Sequence, residues 1–204
     1  MLEFQSASWY IKGKPNPPPK IIKYRIIKLA VQDLQFRSIV ETGTYLGDFI
    51  AFIQSSVDKI YSIEISKKLY YAAKQRFEGS GKIQLRCGNS AKILPSILSE
   101  IRCPSLFWLD AHFSGGITSG DEKAPVIVEL ENILDHSLEH SVTHIIFIDD
   151  AKDFTGANGF PTLQQIFELV SRKQPSSIVS VRDDMIRIQP PRPRYGPYVG
   201  QSIL

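Results

Sequence analysis

Short apolar, β-branched runs alternate along this chain with longer amphipathic stretches. The runs 38–41, 59–64, 83–87, 105–109 and 143–148 hardly alternate between apolar and polar positions, as expected of parallel strands buried on both faces. Helical spacing predicts helices over about 46–56, 67–77, 90–100 and 122–138, with Ser66, Asn89 and Asp121 as N-caps. A further helix, about 162–172, opens after Pro161, and the segments 177–181 and 185–189 flank Arg182-Asp183-Asp184 as a hairpin. Ahead of all this, the prolines of residues 11–19 exclude helix and central strand and predict an extended lead-in. Between 20 and 36, Ile22, Ile26, Leu29 and Val31 recur near helical spacing with Lys23, Arg25 and Lys28 between them, which predicts an amphipathic helix docked on the body. The pattern as a whole predicts an α/β fold: βαβ winding with helices on both faces of a mostly parallel sheet, ending in an antiparallel hairpin.

The 204 residues suit one α/β domain over 38–189, preceded by an arm and helix (1–37) and followed by a Pro-rich tail (190–204). Charge alters the picture of the arm. Lys12, Lys14, Lys20, Lys23, Arg25, Lys28 and Arg37 face only Glu3 and Asp33, although the whole chain carries just +3. Such an arm steers phosphate-bearing partners or simply forms a solvated helix face, and no nucleic-acid-binding motif accompanies it, so nucleic acid is not the expected partner. The tail is open to covering the sheet edge, touching a substrate or packing on a second subunit of a homodimer. No apolar run approaches the roughly 20 residues of a membrane span, and Met1-Leu2-Glu3-Phe4-Gln5 lacks the order of a signal peptide, so the expected place is the cytoplasm, away from membranes. Cys87 and Cys103 form neither a CxxC nor a Cys/His cluster and are expected as buried, reduced thiols.

Ligands of an open α/β sheet bind outside the carboxyl ends of its strands, and here every such end is polar. The ends read Glu41, Glu64, Gly88-Asn89-Ser90, Asp110-Ala111-His112 and Asp149-Asp150. A dinucleotide loop needs G-x-G-x-x-G, which is missing; the chain has Glu41-x-Gly43-x-x-x-Gly47 instead. A carboxylate two residues before the glycine repels a phosphate but suits a cofactor with an amino group and a sulfonium. This stretch resembles the first motif of the class I S-adenosylmethionine-dependent methyltransferases. The resemblance implies a seven-stranded Rossmann-like sheet with its last strand antiparallel beside the fifth. It also implies that Glu64 takes the ribose hydroxyls and Asn89 the adenine amino group. The implied cofactor set is Glu41, Gly43, Thr44, Gly47, Glu64, Ile65, Asn89 and Ser90.

Up to three carboxylates and the imidazole of His112 lie at neighbouring strand ends, and carboxylate clusters with little sulfur or imidazole suit a hard divalent cation, Mg²⁺ most readily. Asp110, Asp149 and Asp150 are similar in position to the acids of the macrocin-type metal-dependent sugar O-methyltransferases. That resemblance implies that these three hold Mg²⁺ and that a small hydroxylated, sugar-like molecule accepts the methyl group. The chain departs from it at His112 and at Phe113-Ser114-Gly115-Gly116. Asp110 or His112 is the expected base for the acceptor hydroxyl. The glycine-bearing loop 113–121 is placed to rim the acceptor or merely to connect. Glu129 and Glu131 are expected on a helix surface, Glu129 with the alternative of turning inward, and His136, His140 and His144 are expected to be structural. Three rival readings have weaker support. A nucleic-acid methyltransferase lacks the Asn/Asp-Pro-Pro-aromatic signature after strand four, a NAD-dependent oxidoreductase lacks its glycine pattern, and a non-catalytic binding module leaves the strand-end acids unexplained.

Overall fold

The structure, a computed structural model, describes residues 8–110 and 125–191. Seven strands, β1 (Ser38–Thr42), β2 (Lys59–Glu64), β3 (Ile83–Cys87), β4 (Leu106–Leu109), β5 (Ile145–Ile148), β6 (Ile178–Arg182) and β7 (Met185–Gln189), form one sheet in the order β3-β2-β1-β4-β5-β7-β6. The first five are parallel, and β7 inserts antiparallel between β5 and β6. This is the Rossmann-like order expected from the sequence. Reversal of winding between β1 and β4 opens the crevice in which such sheets bind ligands.

Alternation along the strands divides the core between two faces. Ile39, Ile60, Leu106, Trp108, Ile145 and Phe147 point to the face covered by α1 (Lys20–Asp33) and α2 (Asp48–Ile53). Val40, Tyr61, Phe107, Ile146 and Ile148 point to the other, covered by α4 (Ser90–Leu98), α5 (Pro125–His140) and α6 (Leu163–Lys173). Helix α3 (Lys67–Arg76) links β2 to β3. Ser66, Asn89 and Thr162 cap α3, α4 and α6 with their side chains, and Thr162 and Gln165 close a full capping box. The hairpin turns on Asp183 and Asp184, both at φ 56°, the twist that a two-residue connection needs.

Several expectations need correction. β3 is half-buried because it forms the sheet edge, whereas the sequence suggested burial on both sides. Cys103 is exposed and Cys87 half-buried. The predicted 46–56 helix is a short α-helix followed by a 3₁₀ turn, Gln54–Ser56. The largest change is in α1. Its buried face is Ile21, Ile22, Lys23, Tyr24, Ile27, Ala30 and Val31, while Leu29 faces out and Lys23 faces in. No described helix is long and apolar enough to cross a membrane.

Candidate active site

The loop after β1 is fastened to the end of β2. The N–H groups of Gly43 and Thr44 donate to the carbonyl of Ile63, at 2.9 and 3.2 Å, and the N–H of Tyr45 donates to Glu64 Oε2 at 2.7 Å. Glu64 Oε1 accepts the N–H of Ser66 at 2.8 Å. Glu64 therefore joins two loops with one lone pair of each oxygen, and a carboxylate's remaining lone pairs stay available to hydroxyl donors. Gly43 sits at φ 92°, a conformation that favours glycine. Gly47, at φ 77°, is required for a different reason: a Cβ there would lie 2.6 Å from the Phe77 ring, so this glycine lets α2 close against the end of α3. Thr44 and Ile65 flank the turn, one buried and one exposed.

Beneath this loop the Thr44 hydroxyl lies 2.6 Å from that of Ser62, which donates to Glu41 Oε2. Glu41 is 1% exposed, and burial holds its carboxyl well above the usual range, with the Ser62 hydrogen bond the main opposing influence. Neither Glu41 nor Glu64 forms an ion pair among the described residues. Glu129, the acid whose placement the sequence left between surface and interior, is fully buried. Its carboxyl is pushed up to about 7 by desolvation, only partly offset by the hydroxyls of Ser90 and Thr42. Asn89 uses its side-chain oxygen to accept the Ala91 N–H at 2.9 Å, the capping role, and Ser90 is buried beside it at the start of α4.

The other half of the edge is built differently. Asp110, Asp149 and Asp150 do come together, and the hairpin adds Asp184, which the sequence pattern marks only as a turn residue. Into this group projects Lys23. Its ammonium lies 2.5 Å from Asp149 Oδ1, 3.3 Å from Asp150 Oδ1 and 3.2 Å from Asp184 Oδ2. Lys152 contacts Asp150 at 3.1 Å and Asp184 at 3.2 Å. Lys20, one turn before Lys23 on α1, reaches Asp110 Oδ2 at 3.2 Å. Burial alone pulls the ammonium of Lys23 down, but Asp149, Asp150 and Asp184 together hold it above its ordinary value, so it stays charged. Asp149 is pushed up to about 6 by burial and by the charge of Asp110, with Lys23 pulling it back. Backbone bonds fix the cluster further: Asp184 Oδ1 accepts the Lys152 N–H at 2.9 Å, and Asp149 Oδ1 accepts that of Asp150 at 2.9 Å.

The three acids expected to hold Mg²⁺ do not fit that ion as they stand. Mg²⁺ requires oxygens at about 2.0–2.1 Å around an open centre. Here the centre is a lysine nitrogen, and no group of acids, histidines or cysteines suited to a metal occurs among the described residues. His112, Asp121, the loop 113–121 and residues 192–204 of the tail lie outside the described residues. His136 and His144 are remote from the edge and hydrogen-bonded to one another at 3.0 Å, with His144 Nδ1 accepting the Ser105 N–H at 3.2 Å. Burial lowers His144 to about 4.

No family model and no curated protein matches this chain. Its fold is nevertheless that of solved methyltransferases. It is similar to the SAH-bound Podospora anserina methyltransferase PaMTH1 at 17% identity and a TM-score of 0.58, covering 94% of this chain and 86% of that one. The O-methyltransferase from Bacillus cereus in complex with SAH aligns at 16% identity and a TM-score of 0.58, over 92% and 90% of the two chains. The O-methyltransferase TomG from Streptomyces achromogenes, in complex with SAM, aligns at 15% identity and 0.59, over 93% and 88%. Identities this low speak for the fold, the Rossmann-like methyltransferase arrangement.

Proposed function

We propose that this chain is an S-adenosylmethionine-dependent methyltransferase that methylates an oxygen of a small hydroxylated, sugar-like acceptor. One observation carries the reading. Glu41 and Glu64, both buried at adjoining strand ends beside the Gly43 turn, form no ion pair among the described residues, and Lys20, whose charge acts on Glu41 from outside, is itself bound to Asp110. A cofactor with a sulfonium and an amino group brings the positive charge that these carboxyls lack, whereas a phosphate would be repelled. The SAH or SAM present in the three structures named above supports the same donor.

In this reading the acceptor lies over the ends of β4 and β5. Its oxygen attacks the methyl carbon in line with the sulfur; the C–O bond forms as the C–S bond breaks, and the hydroxyl proton passes to Asp110. Holding the two reactants in line supplies about 7–11 kcal/mol of such a barrier. Two of the seven cations of the basic arm, Lys20 and Lys23, are engaged by strand-end aspartates, which supports a small acceptor over nucleic acid.

Calorimetry with S-adenosylmethionine, S-adenosylhomocysteine and NAD⁺ tests the donor. The sulfur nucleotides are expected to bind and NAD⁺ not to. Glu64→Ala is expected to weaken them roughly 10- to 100-fold, since it removes an anchor shared by two loops and charge-assisted hydrogen bonds. Failure of both sulfur nucleotides to bind sinks the reading.

A further inference from the structure

We propose that the Lys23 ammonium is the resident cation of the strand-end acids and stands where a divalent metal ion would otherwise bind, so that this site works without metal. The geometry is that of a filled site. An ammonium has three N–H donors and no acceptor, and three carboxylates from two separate segments converge on it: Asp149 and Asp150 after β5, and Asp184 from the β6–β7 turn.

Charge leads to the same conclusion. Four carboxylates, those of Asp110, Asp149, Asp150 and Asp184, meet the three ammoniums of Lys20, Lys23 and Lys152. Among the described residues one negative charge remains, too little to attract and dehydrate a divalent ion. Nor can Lys23 step aside. Its side chain is 3% exposed and is carried by α1, whose neighbouring Tyr24, Ile27, Ala30 and Val31 are embedded in the core. Admitting a metal would leave an ammonium buried beside a doubly charged ion, or would require α1 to leave the sheet.

The chemical consequence is specific. An ammonium neutralises carboxylates and donates hydrogen bonds, but it does not acidify a hydroxyl by coordination as a metal does. Deprotonation of an acceptor then falls to a carboxylate, and Lys20, half exposed at the mouth and held by Asp110, is the cation positioned to meet the acceptor's oxygen.

Mn²⁺, read by electron paramagnetic resonance and calorimetry on the full chain without cofactor, tests this directly. The wild type is expected to show no one-to-one binding up to about 1 mM, and its melting temperature to be the same in EDTA and in MgCl₂. Lys23→Ala, which vacates the centre, is expected to bind Mn²⁺ at least tenfold more tightly, and Asp149→Asn added to it to abolish the gain. Stoichiometric Mn²⁺ binding by the wild type, lost in the Asp149→Asn/Asp150→Asn variant, overturns the proposal. So does a folded Lys23→Ala protein with unchanged Mn²⁺ affinity. Should Lys23→Ala fail to fold, the wild-type titration decides alone. No S-adenosylmethionine enters these measurements, so a wrong donor assignment and a wrong cation assignment fail separately.

Discussion

At the ends of β1 and β2, Glu41 and Glu64 are held by uncharged donors: a serine hydroxyl for one and backbone N–H groups for the other. At the ends of β4 and β5, Asp110, Asp149 and Asp150 meet lysines. Both sets of acids are largely removed from water, and a buried carboxylate needs either a counter-charge or a proton. The first end forms no ion pair among the described residues, and burial accordingly raises the Glu41 carboxyl, with the Ser62 hydrogen bond and the charge of Lys20 opposing it only in part. The second end draws its counter-charge from within the chain. One half of the edge is thus prepared for an external cation, while the other is already largely neutralised by Lys20 and Lys23 of helix α1 together with Lys152.

The strongest way to break this contrast is to remove the internal cation. Lys23→Met leaves Asp149 buried without its cationic partner and Asp184 with Lys152 alone, and the expected loss is about 3–5 kcal/mol of unfolding free energy, read by urea denaturation. A loss below about 1 kcal/mol would mean that the lysine cluster contributes little to stability.

At the other end a carboxyl rather than a cation sets the response. Glu129 has a folded pKa of about 7 against 4.5 for an unperturbed glutamate. Its contribution to stability is therefore complete below pH 4.5 and is lost as pH rises through 7. Glu129→Gln removes that loss and is expected to stabilise the protein by about 2–3 kcal/mol more at pH 8.5 than at pH 5. Denaturation midpoints at the two pH values check the sign, and equal effects at both would show that Glu129 titrates normally. The smallest effect sharpens the comparison within α1 itself. The Lys20 side chain is 54% exposed, and Lys20→Met is expected to cost no more than about 1 kcal/mol, less in high salt.

Much of the fold was legible because buried parallel strands are short apolar runs whose ends are marked by glycines and acids. The winding, the C-terminal hairpin and the cap residues Ser66 and Asn89 follow from local pattern alone. The α1 face was not legible in the same way. Ile21, Ile22, Ile26 and Ile27 form two adjacent pairs, so helical spacing permits more than one stripe, and a lysine on such a helix is by default solvated. Only partners 126 to 161 positions away turn Lys23 inward, and no local window contains them. Asp184 carries no mark of the site in the sequence for a related reason: an aspartate in a tight turn already has a sufficient local explanation. In the candidate site, the positions of the strand-end acids were readable, but what neutralises them was not.

The contact between Lys23 and the β6–β7 turn also has a meaning in time. During synthesis the lysine emerges first, and its carboxylate partners follow at positions 149, 150 and 184. Until the hairpin is released, α1 has an ammonium on its inner face with no complete set of acids to receive it. The apolar face of α1 has core partners earlier in the chain than the hairpin, but the full set of acids around Lys23 exists only once one of the last turns is made, so final seating of the lysine is expected to follow that turn.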